Sequence, residues 1–286
     1  MTSDPTGREG RDGWLIEVEA LRAVAFVLIV FGHAVGVLAS VQHGSVTMAL
    51  FGAALALSRF SLLAFMTMSS LLVAHRVSLG RSGSAVRAAT RMAMPYAVLT
   101  VAYLLVGKAL AGGTSMLAPQ LVSEVVRAWL TGSGFYHLWY VVVAVQIVFV
   151  APLLARWMRP LSRRDRGIVL LAAIAGTMAL LGQIEGPITR ALPWTSALFG
   201  SGSDRVFVFW LAYIVLGVVI GLDYDTWMSA LRRYRVPMFA GYAIAVAALT
   251  AVVVRQAMDV HGDYQAVVAI SRVMQPWIVP FEVLSI

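Results

Sequence analysis

Two side chains that could do chemistry, Arg22 and His33, lie inside the first long apolar run of the chain, ALRAVAFVLIVFGHAVGVLAS. Eleven helical steps of about 100° separate them, which returns the chain to within about 20° of the same face, about 16 Å further along the axis. A charged or titratable group inside a membrane helix is costly unless it is paired or faces a polar cavity. The two residues therefore predict a polar track through a helix bundle. The alternative is an arginine that anchors the helix end and a histidine hydrogen-bonded to a neighbouring helix.

A second cationic pair, Arg87 and Arg91, is one helical turn apart at the start of the third apolar run. Guanidinium groups bind phosphate with two parallel hydrogen bonds and keep their charge. The pair is typical of the positive flank of a membrane helix. It would also suit the phosphates of a cytosolic donor such as a coenzyme A thioester.

Three more side chains are predicted near the opposite side of the membrane. Arg59 lies near one end of the second run, where it either snorkels to water, forms an internal hydrogen bond or has a function. His137 and Trp139, in FYHLWY, begin the fourth run. Aromatic residues at that depth are usually interface anchors.

Composition decides the fold class. The chain has 286 residues, of which 60% are hydrophobic and 13% are charged, and its mean hydropathy is +0.82. A soluble domain has about 45–50% apolar and about 25% charged residues. The sequence therefore predicts an all-α, polytopic membrane helix bundle. Its eight apolar runs are roughly 21–41, 51–74, 88–107, 136–156, 167–184, 206–222, 236–254 and 265–286.

The remaining segments fit a single membrane domain. Residues 1–20 are predicted to be a cytoplasmic tail and 21–286 one transmembrane unit. The stretch 115–131 is amphipathic and too polar to span, which favours an interfacial helix, and 185–205 is rich in Gly, Pro and Ser and is predicted to be a loop. The chain has no cysteine, which excludes disulfides, cysteine-bound zinc and a thiol nucleophile.

Basic residues fix the predicted orientation. Outside the apolar runs and at their ends, fifteen Lys and Arg fall on one side and five on the other. The positive-inside rule then places the N terminus of this multi-pass protein in the cytoplasm. The net charge of +8 does not indicate nucleic-acid binding, because the arginines fall between apolar runs and form no single patch.

Segments of the first and second runs resemble the bacterial membrane acyltransferase-3 family. IEVEALRAVAFVLIVFGHAVG carries the family's acidic residue, arginine and histidine at Glu19, Arg22 and His33. FMTMSS resembles a Phe-Phe-x-x-Ser-Gly element of the second helix. Phe65 and Ser69 are retained there, whereas Met66 and Ser70 replace the second Phe and the Gly.

Two later segments extend the resemblance. Arg87 and Arg91 before Pro95 resemble the paired arginines that open the family's third helix, with a spacing one residue longer. FYHLWYVVVAVQ resembles a fourth-run element of polysaccharide-modifying members. The resemblance is good over roughly residues 14–160 and rests on hydropathy beyond them. The family usually has about ten spanning helices, so eight runs imply a short or truncated member.

The resemblance implies a reaction. Acyl-CoA, as co-substrate, would bind from the cytoplasm with its phosphates near Arg22, Arg87 and Arg91. His33 would act as a general base on an acceptor hydroxyl or carry the acyl group transiently, and Glu19 would orient Arg22 through an ion pair. The acceptor would be a cell-surface glycan or a lipid-linked sugar, and no bound cofactor or metal is implied. Residues on the acceptor side, or with a structural role, would be Arg59, Ser69, His137 and Trp139.

Two other functions are consistent with the same residues. A flippase or exporter of lipid-linked sugars would also need an intramembrane arginine and histidine, but it would consume no thioester. A catalytically silent paralogue that acts as a membrane subunit is the third alternative.

Overall fold

The computed structural model describes residues 15–41, 45–81, 83–110, 119–134, 138–182 and 205–259, and in these ranges the chain is helical or in turns, with no β-strand. The predicted tail before residue 15, nearly all of the predicted loop 185–205 and the last predicted run, 265–286, lie outside the described residues. An all-α fold is therefore confirmed for the part of the chain that is described.

Eight α-helices follow one another in these ranges, and they agree well with the apolar runs. The amphipathic stretch forms the short helix α4, as predicted. The last described helix begins well before the predicted run 236–254. The helices are α1 (Ile16–Val41), α2 (Ser45–Ser78), α3 (Ala85–Leu110), α4 (Pro119–Thr131), α5 (Trp139–Met158), α6 (Arg163–Leu181), α7 (Leu211–Leu222, preceded by a 3₁₀ turn Phe207–Trp210) and α8 (Tyr224–Asp259).

Several helices are long and apolar enough to cross a membrane. Among the described residues, four qualify by length and composition: Val18–Val35, Ser61–Ser78, Ala85–Leu110 and Trp139–Met158. A fifth span is formed if Phe207–Leu222 and Tyr224–Pro237, which meet at an angle of 98°, count as one. The chain is therefore a multi-pass helical membrane protein, while eight spans remains a prediction.

Helix α7 forms the centre of the core and packs closely against α2. Every residue from Ala212 to Gly221 is buried. A side chain at Gly217 or Gly221 would collide with the backbone of α2, at the carbonyl oxygens of Thr67 and Leu71. Small residues allow such close approach of membrane helices, so these glycines hold α7 against the second half of α2.

Polar side chains satisfy the backbone where α7 begins. The Gln146 amide donates from Nε2 to the carbonyl oxygen of Arg205 (2.8 Å) and accepts at Oε1 from the Phe207 N–H (2.8 Å). The Thr177 hydroxyl oxygen accepts from the Ala212 N–H at 3.2 Å. Backbone groups buried away from water need such partners, so α5 and α6 fix the start of α7.

Arg166 joins three elements at the opposite end of the core. Its guanidinium donates to the carboxylate of Asp223 (2.6 Å) and to the carbonyl oxygens of Met158 (3.1 Å) and Arg159 (2.8 Å). Arg163 lies 3.6 Å from the same carboxylate. Arg166 thereby adds a donor to two carbonyls at the end of α5, of which that of Met158 also accepts from the Leu161 N–H at 3.1 Å. The α5–α6 connection is bound in this way to the break between α7 and α8.

Candidate active site

Helix α1 places an ion pair against α2. Val18 and Ala25 are buried on the α1 face that packs there. Close to them, the Arg22 guanidinium bonds the Glu19 carboxylate at 2.9 Å, and both side chains are about 30% exposed. The guanidinium carbon of Arg22 also lies 5.1 Å from the centre of the Phe65 ring. A cation over an aromatic face is attracted by the ring, so Glu19 and Phe65 together orient Arg22.

Phe65 connects this pair to α5 through a small cavity. The cavity has a volume of about 10 Å³ and is lined by residues that include Phe65, Met66, Ser69 and Tyr140. That volume is about the space one water molecule needs. The Ser69 hydroxyl donates to the carbonyl oxygen of Phe65 at 2.7 Å, so its proton is used within α2. Sequence reasoning missed Tyr140, although it belongs to the FYHLWY segment that was singled out.

Arg22 keeps hydrogen-bonding capacity that the fold does not use. Its Nε atom is buried and has no hydrogen-bond partner in the described part of the protein. A buried donor without a partner costs about 1–3 kcal/mol. A ligand that supplies an acceptor to Arg22 would remove that cost.

His33 is half-buried on α1. It lies about 16 Å beyond Arg22 by helical rise, and the two residues share a face of the helix. The structure thus keeps the spacing on which the predicted polar track depends. In the described ranges, no group of three His, Cys, Asp or Glu side chains is arranged to hold a metal ion.

Arg87 and Arg91 lie on a different helix from Arg22. Both are exposed in the first two turns of α3, where the Arg87 N–H donates to the Ser84 hydroxyl at 3.3 Å. Arg22 lies level with Phe65, which is thirteen residues, or about 20 Å, from the end of α2 at Ser78. This register places Arg22 beside α2 at the level of Phe65, and its position near the membrane face stays a prediction. Arg87 and Arg91 lie at the start of a different helix, α3.

Of the four residues predicted on the acceptor side or in a structural role, the structure describes the side chains of Ser69 and Trp139. The Trp139 ring stacks on Trp210 with centroids 5.7 Å apart and an interplanar angle of 21°. Its backbone packs against Gly132, which has a φ of +71°. These contacts give Trp139 a structural role at the start of α5. His137 and the side chain of Arg59 lie outside the described residues.

Comparison with known proteins gives one finding over most of the chain. A family model described as an acyltransferase domain, that of the acyltransferase-3 family, matches residues 15–278. No curated protein and no solved structure matches the chain significantly. The matched range contains the site on α1 and α2, and it also extends far beyond residue 160.

Proposed function

This chain belongs to the acyltransferase-3 family and is an acyltransferase of the membrane, and we propose that it transfers an acyl group from acyl-CoA to a sugar hydroxyl. Acetyl is the expected group, and the acceptor is a cell-surface carbohydrate or a lipid-linked glycan. The observation that carries the proposal is Arg22, which is held by Glu19 and Phe65, has an unused buried donor and shares a helix face with His33.

The separation of the arginines suggests how the donor lies. Coenzyme A carries a diphosphate next to its thioester-bearing arm and a separate phosphate on its ribose. We assign the diphosphate to Arg22 and the ribose phosphate to Arg87 and Arg91. The ribose joins the two phosphate groups, and the long arginine side chains that bind them allow the arginine backbones to lie further apart than the phosphates do. The arm then runs from Arg22 towards His33.

His33 is the proposed base. It takes the proton from the acceptor hydroxyl while the oxygen attacks the thioester carbonyl. The new C–O bond forms, the C–S bond breaks, and the imidazolium returns the proton to the departing thiolate. In a second route the imidazole attacks first and an acyl-His33 forms before the acceptor arrives. Trapping an acyl group on the protein in the absence of acceptor would distinguish the second route from the first.

The proposed location is the plasma membrane, with the N terminus in the cytoplasm. The chain has no cysteine, so single cysteines at Gln42 and Ser162 give unambiguous sites for an impermeant maleimide. Intact cells should label position 42 and leave 162 unlabelled until they are permeabilised. Labelling of 162 but not 42 would reverse the orientation.

The reaction itself is tested with purified protein, acetyl-CoA and a membrane glycan fraction. Free coenzyme A should appear in proportion to acetyl groups on the glycan, and should not appear with His33→Gln. Transport of the glycan without release of coenzyme A would identify a flippase instead. If thioester is consumed only with longer acyl chains, the acyl group would be corrected and the enzyme class would stand.

A further inference from the structure

The first part of α8 runs across the direction of its neighbours. Helix α7 follows α2, because Gly217 and Gly221 pack beside Thr67 and Leu71 four residues apart on each helix. Tyr224–Pro237 meets the preceding helix at 98°. If α2 crosses the bilayer, Tyr224–Pro237 lies close to the plane of the membrane. We call it the in-plane segment.

One face of the in-plane segment is attached to the end of the bundle. Tyr224 and Trp227 are half-buried against the edge of the hydrophobic core. The Tyr224 ring lies 5.1 Å from the ring of His75, in the last turn of α2. Tyrosine and tryptophan are common at the level of lipid headgroups. These contacts hold the segment at the same end as the Arg166–Asp223 pair.

The C-terminal end of the in-plane segment is strongly basic. Arg232, Arg233 and Arg235 are all exposed, and no carboxylate among the described residues forms an ion pair with them. The nearby Asp223 is already bound by Arg166 and Arg163. Helical geometry is interrupted between these arginines, at Tyr234 (φ −105°, ψ 16°). The cluster therefore has positive charge that the described part of the fold does not neutralise.

We infer that the in-plane segment binds the headgroups of anionic phospholipids in the leaflet at this end of the bundle. A helix in the membrane plane, with aromatic residues on its attached face and arginines exposed, has the form of an interfacial helix. Guanidinium groups bind phosphate strongly. A segment in the membrane plane at the end of the bundle would lie among the lipid headgroups, so the ligand proposed for it is a lipid of the bilayer and not the acyl donor or the acceptor.

The test uses the full chain in a neutral detergent, titrated with short-chain phosphatidylglycerol, with the thermal midpoint as the readout. The triple variant R232Q/R233Q/R235Q should lose roughly 100-fold in apparent lipid affinity, because each basic residue near an anionic lipid contributes about fivefold. Phosphatidylcholine should give no difference between the parent and this variant. The variant R232K/R233K/R235K keeps the charge and should retain most of the affinity. That result would show that the glutamine variant loses affinity because it lacks charge and not because it misfolds.

A matched control removes three exposed arginines from the same end of the bundle but from another connection: R156Q/R159Q/R164Q. It should change lipid affinity several times less than the in-plane variant. Equal losses in the two triple variants, or an unchanged affinity in R232Q/R233Q/R235Q, would overturn the inference. Inorganic pyrophosphate that raises the midpoint as much as the lipid would reassign the cluster to a soluble anion.

Discussion

Two arginine–carboxylate pairs occupy different regions of this protein. Arg166 and Asp223, at the junction of α5, α6 and α7, are 2.6 Å apart with side chains 11% and 17% exposed. Arg22 and Glu19, on the seam between α1 and α2, are 2.9 Å apart and about 30% exposed. Arg166 also donates to two backbone carbonyls, whereas Arg22 lies against an aromatic ring and its Nε has no partner within the described ranges.

The difference separates a structural arginine from one suited to a ligand. The donors of Arg166 are used by the fold, so removing it takes the 2.6 Å partner from the Asp223 carboxylate, which Arg163 approaches only to 3.6 Å, and a donor from each of two carbonyls at the end of α5. Arg22 is oriented but not saturated, and it shares a face with a histidine. The same residue type is therefore expected to control stability at one place and activity at the other.

The largest expected effect is on the α1 side. His33→Gln should lower turnover by about 10²–10⁴, the usual contribution of a general base, while the thermal midpoint stays close to that of the parent. Activity of the parent should fall as pH drops from about 8 to about 5, because a protonated imidazole cannot accept a proton. Coenzyme A release measured across that range checks both. Near-full turnover in folded His33→Gln would make His33 structural and move the search for the base to His137.

The next effect is on the Arg166 side. Arg166→Ala should lower the free energy of unfolding by up to about 3–5 kcal/mol, because the mostly buried Asp223 carboxylate loses its 2.6 Å partner and keeps Arg163 only at 3.6 Å. Arg164→Ala, an exposed neighbour, is the matched control and should change little. Replacing both members, as R166M/D223L, should recover part of the loss. Denaturation in detergent measures the free energy of unfolding of the three variants. If Arg164→Ala destabilises the protein as much as Arg166→Ala does, the two regions no longer differ in the way proposed.

For Arg22 we expect the reverse of Arg166, with a large effect on ligand binding and a small effect on stability. Arg22→Gln should weaken coenzyme A binding by about 1.5–3 kcal/mol, the range for a hydrogen bond to a charged group, with little change in the free energy of unfolding. Arg22→Lys should recover only part of the affinity, because lysine lacks the planar fork. Calorimetric titration gives the affinities. An Arg22→Gln variant that loses stability but binds coenzyme A normally would show that Arg22, like Arg166, has a structural role.

The smallest expected effect is a difference between coenzyme A and dephospho-coenzyme A in how much their binding depends on the arginines of α3. Arg87→Ala and Arg91→Ala should each weaken coenzyme A binding by about 1.5–3 kcal/mol, but should barely alter binding of dephospho-coenzyme A, which lacks the ribose phosphate. Arg22→Gln should weaken both ligands alike. Equal losses with both ligands in the α3 variants would place the diphosphate at Arg87 and Arg91. Unchanged binding of both would reduce these arginines to a positive flank of the helix.

The sequence was most informative about α1. The spacing of Arg22 and His33 follows from helical geometry alone, and the Glu19–Arg22 ion pair is a contact between residues three apart. The family resemblance was visible over roughly the first half of the chain, whereas the family match reaches residue 278. A motif with charged residues can be recognised in a short stretch of sequence. Apolar spanning helices can be built from many similar apolar side chains, so their sequences indicate the family less clearly.

By itself, the sequence determined the helical membrane class, most helix positions and the residues of α1 that could do chemistry, because hydropathy and short-range spacing are local properties. Only the tertiary structure decided that Arg22 lies against Phe65 of α2. It also decided that Arg166, counted from sequence as one of several flanking charges, is buried and joins its own helix to the ends of two others. The sequence did not predict the 98° bend before Tyr224 either. Each of these depends on residues far apart in the chain, whose packing no local pattern specifies.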